Sequence, residues 1–169
     1  MIATEDMLID VVDEHDTTTG TIRRSEVLKS HVNFRVAHVF LFNRQNELLV
    51  QQLSPQRERH PGQWGSSVAA YLFAGETYAQ AAQRRFSQEL GAWECDLHYY
   101  GKTVLNETLG KKFISLFVAT CEGPFQYDRT HIARVEFLPI FTIRRMQLNV
   151  ERVFTPTFLH LLDFYYSGT

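Results

Sequence analysis

Arg85, Gln88 and Glu89 stand at spacings i, i+3 and i+4, so a helix running through them carries all three on one face. A carboxylate in such a set can ligate a hard cation or accept a proton. Arg84 points elsewhere and is placed to reach back to Glu76 at the helix entrance, which would pin the preceding loop to the helix. The same residues also make an ordinary solvated helix face, and spacing alone leaves both readings open. His38 lies inside an apolar run and reads as a satisfied core or cleft histidine rather than a ligand. Trp64 and Phe73 have the shape to stack on a base or cover a prenyl chain, or simply to pack.

Positioning these groups falls to elements that the pattern of residues marks out. Residues 7–12 are a short apolar run that ends in the polar cluster 13–20, a strand and then a turn. Ser25 followed by Glu26-Val27-Leu28 reads as a capped short helix. Residues 36–43 and 47–52 are β-rich runs joined by Arg44-Gln45-Asn46, a hairpin. A loop over 54–64 holds Pro55, Arg57, Arg59, Pro61 and Gly62, and 66–72 returns to strand character. Gly75-Glu76-Thr77 opens the best helix, 78–90, with Ala81, Ala82 and Phe86 toward the core and Gly91 as its stop. Residues 97–105, 113–120 and 133–138 read as further strands, and Thr155-Pro156 starts a last helix to about Tyr166. Strands before and after one helix, and a closing helix, spell α+β or a mixed α/β sandwich rather than regular βαβ alternation.

Composition narrows the function classes. The chain has 169 residues, 44% hydrophobic and 13% aromatic, enough for one domain with a sizeable core. Seventeen basic and nineteen acidic residues leave a formal charge of −2 without a block of like charges, so nothing favours nucleic acid or an anionic membrane as partner. Apolar runs are strand-length, and the acidic start lacks the basic flank of a signal peptide. Cys95 and Cys121 are too few for a disulfide framework and lie in no metal-type cluster, so a reduced, cytoplasmic setting is expected.

The order of several elements carries a resemblance. Glu76, seven intervening residues, Arg84 and then Glu89-Leu90-Gly91 resemble the skeleton of the Nudix box, Gly-x5-Glu-x7-Arg-Glu-U-x-Glu-Glu-x-Gly-U with U aliphatic. AGETYAQAAQRRFSQELG looks like the family's loop and helix, with PGQW just upstream. The opening DVVDEHDTTTG and the hairpin HVFLFNRQNELLVQQ resemble the branch that holds isopentenyl-diphosphate isomerases and related Nudix hydrolases, and the likeness spans residues 8–138. It implies an α/β protein, a Nudix-type α/β/α sandwich with a mixed central sheet. One domain over 1–169 would carry the box at 70–92 and the C-terminal helix at about 155–166. It also implies metal-assisted hydrolysis of a pyrophosphate-containing, nucleoside-diphosphate-type substrate.

The departures fall where family members do chemistry. Family hydrolases line the helix face with three glutamates that hold Mg²⁺ or Mn²⁺. Here Arg85 and Gln88 take two of those positions and Glu89 alone remains, so the face goes from three negative charges to a net of zero. Mg²⁺ or Mn²⁺ is therefore expected to bind weakly. Ala70 stands at the glycine that opens the box, and His131 at a late-loop position where many members keep a glutamate base; a surface-loop histidine is the plainer account of it. Glu76, Arg84 and Gly91 keep the family's structural positions.

The isomerase mechanism would need a cysteine where Ala69 stands, a histidine ligand at Tyr71 and a glutamate near Lys112, so it is not expected. Arg57 and Arg59 fall in a stretch where relatives carry basic residues, and with Arg85 they would grip an anionic phosphate. The same two arginines read equally as loop charges paired with Glu58. Two functions remain: a Nudix-type hydrolase with a depleted metal site, or a non-catalytic module that binds a small phosphorylated ligand or a protein. Leu159, Phe164 and Tyr166, off the main stripe of the last helix, add a possible homodimer contact.

Overall fold

Strands that are apolar on both sides need cover on both faces, and β3 and β4 are of that kind. The computed structural model describes residues 6–91 and 94–167. Residues 1–5, which carry Glu5 of the acidic start, and Ala92, the last position of the expected box, lie outside them.

The strands are β1 (Leu8–Val12), β2 (Thr18–Arg23), β3 (Asn33–Phe42), β4 (Leu48–Leu53), β5 (Trp64–Gly65), β6 (Val68–Tyr71), β7 (His98–Asn106), β8 (Lys111–Thr120) and β9 (Ile132–Leu138). All join one sheet. β3 is its centre, antiparallel to β1, β4 and β6 and parallel to β8, and this one parallel ladder makes the sheet mixed. β9 pairs with β4, and β7 lies outside β8.

Helix α1 (Tyr78–Leu90) covers one face, where Ala81, Ala82, Phe86 and Leu90 pack on Ala37, Val39, Leu41 and Val68. The sequence dictates its ends. Thr77 and Gln80 form a reciprocal capping box, and Gly91 closes the helix in the left-handed region at φ 64° with its N–H on the Ser87 carbonyl. Helices α2 (Ile140–Leu148) and α3 (Pro156–Ser167) cover the other face, with Ile143, Phe158, Leu161 and Leu162 against Val36, Phe40, Ile114 and Leu116. The layers are those of an α/β/α sandwich. Among the described residues no helix is long and apolar enough to cross a membrane.

Three local expectations are corrected and one helix is added. Residues 24–29 form a 3-10 turn without a side-chain cap, so Ser25 does not cap it. β2 starts at Thr18, inside the stretch read as turn. α2 went unread because Pro139 offers no capping side chain and only Ile143 of the helix is buried. Cys95 and Cys121 are joined in a disulfide rather than being free thiols, with their Cα atoms 6.0 Å apart. The fold lays the chain beyond α1 against the end of β8, and a pair 26 residues apart gives no local sign of that. On α3, Phe164 packs against Tyr100 and over Gly101, where a Cβ would stand 2.9 Å from its ring, and Leu159 and Tyr166 border the core.

Candidate functional site

The loop between β6 and α1 is held by a single ion pair. Arg84 Nε donates to Glu76 Oε2 at 2.9 Å, and its Nη2 donates to Glu76 Oε1 and the Tyr71 carbonyl, both at 3.0 Å. Glu76 Oε1 also accepts from the Phe73 N–H at 2.7 Å, and the guanidinium lies 3.8 Å from the centre of the Phe73 ring. A bidentate pair with cation–π cover is among the strong polar contacts available to a half-buried arginine.

Glu89, one residue before the helix end, is 1% exposed. Its Oε1 lies 3.2 Å from Arg85 Nε, at a direction that makes no hydrogen bond, and no other donor reaches that atom among the described residues. Burial raises the Glu89 carboxyl above the usual carboxylate range, against the pull of the Arg85 and Arg57 charges. Gln88 is exposed on the same helix.

Arg57, from the loop after β4, faces Glu89, Arg85, Arg24 and Tyr71, and burial pushes its guanidinium down from its usual value. It makes no ion pair or side-chain hydrogen bond among the described residues. Arg24, at the start of the 3-10 turn, lies 4.6 Å from the centre of the Tyr71 ring and likewise has no carboxylate partner among those residues. Sequence reasoning missed Arg24, because residues 24 and 57 reach one place only through the pairing of β1, β3 and β6. Arg85 and Arg57 thus stand by one buried carboxylate, and Arg24 stands by Arg57.

Arg59 points away from this group. Its Nη2 donates to Glu107 Oε2 at 3.0 Å, and Lys112 Nζ reaches Glu107 Oε1 at 2.7 Å and Thr157 Oγ1 at 2.6 Å. The structure therefore brings Arg57, Arg85 and Glu89 together and leaves Arg59 in a second polar cluster. His131 sits exposed on the loop before β9, with its Nδ1 2.6 Å from Asp128 Oδ2. The Asp128 N–H donates to the Glu89 carbonyl at 2.9 Å, so this loop borders the buried carboxylate. His38 is buried, its Nδ1 sharing a 2.8 Å hydrogen bond with Ser66 Oγ, and burial, with the Lys112 charge, pushes it down to about 3.

A hard divalent cation asks for several oxygen ligands, mostly anionic. Among the described residues no three His, Cys, Asp or Glu side chains gather to supply them. At the helix face the orphaned Glu89 oxygen has a guanidinium beside it, which repels a cation. The donor set does not fit Mg²⁺ or Mn²⁺. Arginines that form no ion pair among the described residues have donors of a geometry that suits an anion such as phosphate.

Known proteins share this architecture. A protein of Deinococcus radiodurans, DR0079, superposes with a TM-score of 0.81 at 22% identity, over 91% of this chain and 96% of its own. The NUDIX domain of Shewanella oneidensis NrtR, in a complex with ADP ribose, superposes at 0.63 with 13% identity, over 80% of this chain and 88% of its own. In sequence, an uncharacterised Nudix hydrolase of Pseudomonas aeruginosa is 29% identical, covering 80% of both chains. An isopentenyl-diphosphate Delta-isomerase of Streptomyces avermitilis is also 29% identical, over 94% of this chain and 83% of its own. The sequence profile of the NUDIX domain matches residues 32–158, about three quarters of the chain and the whole stretch from β3 into α3, and on that match the protein belongs to the Nudix family.

Proposed function

We propose that this Nudix hydrolase-like protein binds a small pyrophosphate-containing metabolite at the exit of α1, with Arg24, Arg57 and Arg85 as its grip, and that metal-assisted hydrolysis there is weak or absent. One observation supports the reading: Arg57, which forms no ion pair among the described residues, stands within electrostatic reach of Arg24 and of Arg85 beside the buried Glu89. Guanidinium forks bind phosphate oxygens in pairs, and burial strengthens each contact. A bound anion adds a negative charge next to Glu89, which favours its protonated form and frees Arg85 for the ligand.

Turnover, where it occurs, falls to Glu89 and His131. Asp128 holds the His131 Nδ1, which leaves Nε2 to take a proton from water. Isomerase chemistry is not part of the reading, because Ala69 has no proton to deliver and the Lys112 ammonium is spent on Glu107 and Thr157. A phosphorylated metabolite as ligand suits a cytoplasmic location; the Cys95–Cys121 bond suits a more oxidising one.

Calorimetric titration with inorganic pyrophosphate and with ADP-ribose, in EDTA and then in Mn²⁺, tests the reading. Binding in EDTA is expected, and Arg57→Ala is expected to weaken it by about tenfold or more, the loss of one charge-assisted contact. Binding that appears only with Mn²⁺ would refute the proposal.

A further inference from the structure

The Cys95–Cys121 bond joins the two stretches of chain that border the buried carboxylate. Cys95 follows α1, the helix that carries Arg85 and Glu89. Cys121 follows β8 and begins the loop 121–131, which carries Asp128 and His131. Cys121 is tied to the sheet, its N–H donating to the Phe42 carbonyl at 2.9 Å. The disulfide therefore draws the chain beyond α1 onto the root of the loop.

The loop has little packing of its own. Phe125 and Tyr127 reach the core only as half-buried residues, and positions 122–124 and 129–131 are exposed. A segment of that kind opens at a low cost in free energy unless its neighbours hold it. Its contacts with α1 are short-range. The Asp128 N–H donates to the Glu89 carbonyl at 2.9 Å, and a Cβ at Gly91 would stand 3.2 Å from the Gln126 carbonyl oxygen. Both contacts lie at the helix end from which the chain runs on to Cys95.

At its other end the loop reaches the grip. The His131 carbonyl accepts from the Ser54 N–H at 3.0 Å, and the carbonyl of the buried Ser54 accepts from the Arg57 N–H at 3.0 Å. One loop thus connects the helix end at Glu89 to the turn that places Arg57, and the disulfide is the covalent part of that connection.

We propose that the Cys95–Cys121 bond is a redox control on the arginine grip. In the oxidised form it keeps loop 121–131 against α1 and Arg57 within reach of Arg85; reduction lets the loop part from the helix end and weakens the hold on the anion. The proposal rests on the reading of the preceding subsection. The reductant is a dithiol. Its thiolate bonds to the sulfur of Cys121, the more exposed of the pair, and the Cys95 sulfur leaves and takes up a proton. The second sulfur of the dithiol then closes its own disulfide and releases Cys121 as a thiol. Two electrons and two protons pass to the protein, and the dithiol becomes a cyclic disulfide.

The test is calorimetric titration of inorganic pyrophosphate, in EDTA and well below the melting temperature, into three samples. These are the oxidised protein, the protein reduced with dithiothreitol, and the Cys95→Ala, Cys121→Ala double variant. The oxidised protein is expected to bind on the order of tenfold tighter, the ratio that follows when the held arrangement falls to about one molecule in ten. The double variant is expected to match the reduced protein and to be indifferent to dithiothreitol. Linkage requires the converse: saturating pyrophosphate should shift the disulfide–dithiol equilibrium toward the disulfide by the same factor. A bond that only stabilises the fold lowers the melting temperature and leaves the affinity of the folded protein as it was. Equal affinities in the oxidised form and in the folded reduced form or double variant, tighter binding on reduction, or loss of folding on reduction therefore overturn the proposal and leave the arginine grip standing. Failure of pyrophosphate to bind the oxidised protein overturns both.

Discussion

Arg85→Glu combined with Gln88→Glu should turn the helix face into a metal site. Arg85 Nε stands 3.2 Å from Glu89 Oε1, and positions 85 and 89 are one helical turn apart, so a carboxylate at 85 would share a cation with Glu89. Unit charges about 5 Å apart interact by ~3 kcal/mol at an effective dielectric near 20, and by about twice that against a divalent ion. The two substitutions move the face by three units of charge, two at position 85 and one at 88. Solvent and desolvation remove most of that energy, but about 1.5 kcal/mol retained per unit still gives a gain of roughly three orders of magnitude in Mn²⁺ affinity. With Mn²⁺ at about a hundred times the resulting Kd, binding adds about 2.7 kcal/mol of stability. In a chain of this size that is a rise of about 5–10 °C in melting temperature. The assay is thermal melting of both proteins across a Mn²⁺ series, with circular dichroism to establish that the double variant is folded. The unaltered protein should show no rise. A folded double variant without a Mn²⁺-dependent rise, or an equal rise in the unaltered protein, would refute the electrostatic account of this face.

Three further outcomes follow from the same contacts. Because the folded-state value of His38, about 3, lies below its unfolded value near 6.5, the unfolded chain binds the extra proton, and stability is lost as pH falls through that window. Acid titration of stability in urea should show roughly 2–3 kcal/mol less loss between about pH 7 and 4.5 for His38→Asn than for the unaltered protein. Arg84→Ala leaves Glu76 half-buried without its bidentate partner and uncovers Phe73, and should cost about 2–4 kcal/mol in urea denaturation. Reducing the Cys95–Cys121 bond opens a cross-link 26 residues apart, worth about 3.5 kcal/mol in a chain-entropy account. Dithiothreitol should therefore lower the melting temperature, and the Cys95→Ala, Cys121→Ala double variant should melt near the reduced value with or without it.

What the residues determined by themselves is what short-range geometry controls. Thr77, Gln80 and Gly91 set the ends of α1 through hydrogen bonds within a few positions, and the i+8 reach from Glu76 to Arg84 spans one loop and two helical turns. The β3–β4 hairpin and α3, with Pro156 in its first turn and Thr155 Oγ1 accepting from the Phe158 N–H, are local in the same sense. The loss of two acidic positions on the helix face was also legible, since charge is a property of residue type and the face a property of helical period.

The tertiary structure alone decided where the cations went. Arg57 and Arg59 look equivalent in sequence, yet one is drawn toward Glu89 and the other toward Glu107, 48 positions further along the chain, beside Lys112 of β8 and Thr157 of α3. Arg24 joins Arg57 because β1, β3 and β6 lie side by side, and Cys95 meets Cys121 because the fold lays the chain beyond α1 against the end of β8. Helix caps and periodicity are written in neighbouring residues, but a side chain's charge environment is assembled from segments that only folding brings together.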